Sequence, residues 1–198
     1  MLLLNSNAEQ IFWLGRYLTR IQYLCSQYPF HSNDEALEYA HAFCLPAFNA
    51  SSLNEMVLDP QHPASFSQQF EYAQRNIQDL RAVLTARAYA ELNLLIKNAN
   101  ENSGYICDVV GECQDILEAE SELVFLFFSL GQSVEELDRQ LRLKQDEAST
   151  VAKMNHITAS LAGIGLTDLQ EAWQQVQADD MNVYHFYDAI QSLFEADA

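Results

Sequence analysis

An all-α fold, a bundle of about seven to nine helices without significant sheet, is what this sequence predicts. Three observations carry that expectation. Gly (6) and Pro (4) are few among 198 residues, and β-branched residues are sparse beside Leu, Ala, Gln and Glu, which favours helix. No stretch shows the alternation of period two that marks a half-buried strand. The aromatic content of 11% supplies the large side chains that fill interhelical space. At this length one domain spanning 1–198 is expected, with a substantial buried core.

Helix signals run along almost the whole chain. Ser6 and Glu9 have the spacing of a capping box and open a helix predicted to reach about Tyr28, ahead of Pro29. Ser32 and Glu35 repeat the signature for a short helix to about Cys44, stopped before Pro46. Residues 46–64 hold three of the four prolines, with Asp-Pro and His-Pro steps, and are predicted to be irregular. A long helical stretch follows from Ser65 to about Ala99, with a restart at Thr85, and NENSG at 100–104 reads as a turn. Two helices fill 105–144 with a break near Glu118. Three more occupy about 146–162, a segment capped by Thr167, and about 181–195. Gly163 and Gly165 stand where a helix should end.

Charge excludes several function classes. The net charge is −18, from 10 Lys and Arg against 28 Asp and Glu. No basic stripe exists, which excludes nucleic acid and disfavours anionic membranes. Such acidity first serves solubility, and secondarily suits a basic partner. The longest apolar run, LVFLFF at 123–128, is too short to span a bilayer and reads as buried helix. The N-terminal MLLLNSNAEQ lacks the basic region and cleavage site of a signal peptide. Cys25, Cys44, Cys107 and Cys113 show no C-x-x-C spacing, so reduced thiols in the cytoplasm are expected.

The most informative segment is IFWLGRYLTRIQYLC, 11–25. Ile11, Leu14, Leu18, Ile21 and Cys25 form one apolar stripe, with Trp13, Tyr17, Leu24 and Tyr28 beside it, so this helix is buried nearly all round. Arg16 and Arg20 are therefore held close to the interior. Two guanidinium groups one turn apart repel, and something anionic must face them. Two sources are open: carboxylates of neighbouring helices, or a ligand or partner carboxylate or phosphate. The stretch from Asn98 to Asp138 supplies ten carboxylates and no Lys or Arg. Gly15 costs about 1 kcal/mol in mid-helix and implies a close helix crossing. FWLGRYLTR at 12–20 is echoed by FSLGQSVEE at 128–136, which shares the aromatic and the Leu-Gly at the same offsets.

In AQRNIQDLRAVLTARAYAELN, 73–93, Ala73, Ile77, Leu80 and Leu84 form a packing stripe, and Arg75 and Asp79 have the spacing of an ion pair. Asn76 and Asn93 are poor mid-helix residues, which points either to specific polar contacts or to plain solvation. Catalytic and cofactor signatures fail. Glu38-x-x-His41 is a single copy of a motif that di-iron sites need twice, and Glu112, Asp115, Glu118 and Glu122 read as a solvated face. No nucleophile motif, phosphate loop or metal-ligand spacing occurs, so no cofactor is expected.

The first of these segments, WLGRYLTRIQ, resembles the N-terminal hallmark of the bacterial Alpha-E family, approximately W-L-G-R-Y-x-E-R-A-E. The second resembles that family's A-R-E-N-A-R-x-x-R segment, with its following Ser/Thr and Trp-x-x-x-Asn. LGQSVEELD at 130–138 is similar to a third hallmark, again L-G-R-Y-x-E-R. Together these cover most of 8–144. Arg16, Tyr17, Arg20, Asn76, Arg81, Asn93 and Glu135 stand as in the family, and the resemblance implies that they bind a partner or an anion. Thr19, Gln22, Gln74, Arg75, Gln78, Gln132 and Glu136 depart from it. The resemblance also implies an all-helical accessory to an ATP-grasp-type amide ligase or its peptide substrate. An Arg/Glu site for amide chemistry, or a helical scaffold or homo-oligomer, are the other expectations.

Overall fold

Helix α1 (Asn5–Gln27) runs through the middle of the molecule because it is apolar on nearly every side. Ile11, Leu14, Leu18 and Ile21 are completely buried. In the computed structural model, which describes residues 3–101, 105–178 and 183–195, α1 packs on α4, α6, α7 and α10. Among the described residues, the chain forms ten α-helices, a 3-10 turn at 80–82 and no strand.

The order after α1 is α2 (Asn33–Ala42), α3 (Ala50–Leu58), α4 (Phe66–Asp79), the 3-10 turn Leu80–Ala82, and α5 (Ala86–Glu101). Then come α6 (Ile106–Glu118), α7 (Glu122–Arg142), α8 (Ala148–Gly163), α9 (Thr167–Ala178) and α10 (Tyr184–Glu195). Caps account for several of these starts. Ser32 accepts from the Glu35 N–H, and Ser65 accepts from the Gln68 N–H at 3.2 Å. Thr85 caps α5 through the Ala88 N–H, and its own N–H and hydroxyl donate to the Glu120 carboxylate at 2.9 and 2.7 Å.

Ten helices exceed the seven to nine expected, and the surplus is α3. Its prolines at 46, 60 and 63 flank the helix instead of interrupting it, and Asn49 and Ser52 form a reciprocal capping box at its start. The box expected at Ser6 is not used. The helix begins two residues earlier, with Leu4 at the cap position and no side-chain cap. Arg75 also chooses another partner, pairing backwards with Glu71 and not forwards with Asp79. Of the NENSG segment, residues 102–104 lie outside the described residues, as do 181 and 182 of the last expected helix.

The cysteines correct the expectation of four free thiols. Cys25, near the end of α1, is disulfide-bonded to Cys107 at the start of α6, with Cα atoms 5.7 Å apart. The α1–α6 contact joins residues 82 positions apart, a pairing that no local spacing could announce. The thiol argument for a reducing compartment thus falls away. Cys44 and Cys113 are free. No helix among the described residues is long and apolar enough to cross a membrane.

The glycines separate into two kinds. Gly111, midway along α6, has open space where a Cβ would be. Gly111→Ala is expected to raise stability by up to about 1 kcal/mol, since only helix propensity changes. A thermal melt checks this, and a lowered midpoint would contradict it. Gly15 and Gly131 belong to the second kind, and they build the site.

Candidate functional site

Helices α1 and α7 cross at the two Leu-Gly steps of the sequence echo. A Cβ on Gly15 would run into the Phe128 carbonyl oxygen and sit 3.1 Å from the Gln132 nitrogen. A Cβ on Gly131 would run into the Phe12 carbonyl oxygen and lie 2.9 Å from its carbon. The contacts are reciprocal: Gly15 meets Phe128, and Gly131 meets Phe12. Residues 12–20 and 128–136 are therefore exchanged by a local two-fold at the crossing. The Leu-Gly echo marks a geometric equivalence, and the glycines allow the backbones to touch.

This crossing supplies the counter-charge for the arginines of α1. Arg16 Nε donates to Glu135 Oε2 at 2.9 Å. Arg20 Nε donates to Oε1 at 2.5 Å and Arg20 Nη2 to Oε2 at 2.8 Å. The Glu135 side chain is 4% exposed, against 12% for Arg16 and 32% for Arg20. Burial alone would raise the Glu135 carboxyl, but the hydrogen bonds and charges of Arg20 and Arg16 outweigh it and hold it below the usual range. Burial likewise opposes the charge on Arg20, and Glu135 overcomes it, leaving that guanidinium firmly protonated. Two cations share one anion, so the triad keeps one positive charge.

Aromatic rings roof the Arg16 side. Its guanidinium carbon lies 5.0 Å from the Trp13 ring centre and 5.8 Å from that of Tyr187, which arrives on α10. Burial pushes the Tyr187 hydroxyl up to about 12. Tyr17 packs between Trp13 and Tyr72, with burial raising its hydroxyl.

The two-fold exchanges Arg16 with Gln132, Thr19 with Glu135, and Arg20 with Glu136. The three positions that mirror the triad are thus Gln132, Thr19 and Glu136, where no such triad can form. Thr19 Oγ1 is buried without a hydrogen-bond partner. Two of the clefts beside the crossing occupy positions related by this two-fold. An arginine cleft of about 360 Å³ is lined by Arg16, Arg20, Asp138 and Arg142, and Gln69 also borders it. A larger cleft of about 610 Å³ is lined by Gln132, Glu136, Gln22 and Ser26, their counterparts in the same register. Ser129 and Ser133, which line it, stand where the other half carries Trp13 and Tyr17.

Of the residues singled out in the sequence, Arg16, Arg20 and Glu135 converge and Tyr17 adjoins them. Asn76 reaches α1 elsewhere, with Nδ2 donating to Gln10 Oε1 at 2.5 Å. Arg81, on the 3-10 turn, lies over the Tyr89 ring, and Asn93 Nδ2 donates to the Tyr89 carbonyl at 2.7 Å. None of these three touches the triad. Arg142 and Gln69 were not singled out. The signal that could have found Arg142 is the continued register of the echo, which sets it opposite Ser26; Gln69 had none. Among the described residues no group of three or more His, Cys, Asp or Glu is placed to hold a metal.

The model of the Alpha-E family, described as a predicted alpha-helical domain with a conserved ER motif, matches residues 3–190. No curated protein and no solved structure matches the chain significantly. On the hallmark resemblance, Thr19-Arg20 and Glu135-Glu136 stand at the Glu-Arg positions, and Arg20 and Glu135 bind each other across the crossing.

Proposed function

Since the chain belongs to the Alpha-E family, we propose that it is a helical accessory protein without catalysis of its own, which binds an ATP-grasp-type amide ligase or that ligase's peptide substrate. The setting would be a system that makes or modifies peptides. The observation behind a binding role is the state of the triad. A general acid near neutral pH needs a carboxyl whose pKa is raised, and Glu135 is shifted the other way by Arg20 and Arg16. The triad clamps α1 to α7 and leaves a cationic cleft beside it, which is the equipment of a binder.

A partner that consumes ATP makes the cytoplasm the natural setting. There the Cys25–Cys107 bond would face reduction. Co-expression and pull-down with an ATP-grasp ligase encoded beside this chain tests the proposal. The expected result is a complex and an altered ligase rate; no complex and no change in rate would overturn it. Light scattering on the isolated chain separates a self-assembling scaffold from a monomer that awaits a partner.

A further inference from the structure

The two clefts make an internal comparison. They share one helix crossing, and the half with Gln132, Thr19 and Glu136 shows that the glycine contact forms without arginines at its equivalent positions. Packing of the crossing therefore does not by itself require three guanidinium groups around one cleft. Glu135 needs a partner, but Arg142 does not touch it. Arg142 is held by Asp138 at 3.0 Å and by the Ala42 carbonyl at 3.1 Å. Counting Glu135 and Asp138 against Arg16, Arg20 and Arg142 leaves one positive charge on this wall, in a chain of net charge −18.

Donors remain there. Arg20 Nη1 and Arg142 Nη2 have no hydrogen-bond partner among the described residues. Gln69 borders the same cleft and carries an acceptor. Gln69 is 5% exposed; its Nε2 donates to the Ala64 carbonyl at 3.1 Å, and its Oε1 is buried and unpaired. A buried acceptor without a donor is costly, so such a group in a cleft wall marks where a ligand N–H can go. Leu24, Phe43 and Val57 supply apolar lining to the same cleft.

A monoanion with an N–H beside it and an apolar side chain answers all three features. We propose that the arginine cleft binds the C-terminal carboxylate of a peptide. Arg20 and Arg142 hold the carboxylate, Gln69 Oε1 accepts the N–H of the last residue, and Leu24, Phe43 and Val57 receive its side chain. Phosphate fits less well: its doubly charged form carries more charge than the wall offers, and it has no apolar group for Leu24, Phe43 and Val57. This deepens the accessory reading, on which it rests for its biological meaning, by naming the part of a peptide that the chain grips.

The test titrates the whole labelled chain with N-acetyl-leucine, N-acetyl-leucinamide and inorganic phosphate, read by amide NMR shifts. N-acetyl-leucine is expected to bind saturably in the low millimolar range, the affinity suited to so small a ligand. The amide should bind about tenfold more weakly or worse, having lost its charge-assisted bonds. Arg142→Gln should weaken the acid about tenfold. Lys153→Gln, an equal loss of charge on the other cleft, should leave it unchanged. Both side chains are largely exposed, at 46% and 57%, so the fold tolerates the changes. Equal binding of acid and amide, an Arg142→Gln variant that binds like wild type, or tighter phosphate binding would each overturn the proposal. The probes are read without a ligase. A ligase complex without probe binding would remove this site and keep the accessory role, and probe binding without a complex would do the reverse.

Discussion

Glu135→Ala is expected to lower the free energy of unfolding by about 3–5 kcal/mol, the cost of leaving buried charge without its partner. The exposure of Arg20, 32% of its side chain, lets water answer part of that charge, so the lower end of the range is expected. Urea denaturation measures it. A pH series adds a second reading. Glu135 is depressed in the folded state, so its contribution is fully present above the unfolded carboxyl pKa, about 4.3. It is lost as pH falls through the folded value. Wild type should therefore lose stability more steeply than Glu135→Gln below about pH 4.5, and the two should run parallel near neutrality. Parallel curves throughout would show that Glu135 is not held by the arginines.

Alanine at Gly131 is expected to cost about 3 kcal/mol or more, at the upper end of overpacking effects. Elsewhere in a helix the same change gains up to about 1 kcal/mol, so the sign here comes from the crossing alone. The new methyl would meet the Phe12 carbonyl group, which belongs to a helix backbone and cannot swing aside as a side chain can. The crossing would have to open, and the Arg20–Glu135 bonds would lengthen with it. Gly15→Ala should act alike, because its methyl meets the Phe128 carbonyl. The double variant should cost less than the sum, since helices parted once need not be parted again. A Gly131→Ala protein within about 0.5 kcal/mol of wild type would be an ordinary surface result and would contradict the close contact.

How much of this was legible in the sequence depends on the distance over which each feature acts. Fold class, the burial of α1 and the close approach at Gly15 are properties of single helices, and composition and periodicity predicted them. Helix α3 was hidden because Pro46, Pro60 and Pro63 mark a breaker-rich region without saying where within it a helix fits. The need for an anion near Arg16 and Arg20 was plain from their setting, and the acidic stretch 98–138 contained the answer. That Glu135 was the one could not be read, because its reach to α1 spans more than a hundred residues. The Cys25–Cys107 bond was missed for the same reason. Asn76, Arg81 and Asn93 entered through family resemblance, which aligns positions and does not assemble them. The Leu-Gly echo held more than its three shared letters suggested. Extended in register, it relates the two clefts and contrasts Arg142 with Ser26.

The account turns on one interaction, the bond between the α1 arginines and Glu135 across the glycine crossing. A double-mutant cycle between Arg20→Gln and Glu135→Gln, followed by urea denaturation, measures that coupling directly. The predicted coupling is about 2–3 kcal/mol, near the top of the range for residues in contact. A coupling near zero would mean that the two side chains do not depend on each other, and the clamp at the α1–α7 crossing would be contradicted.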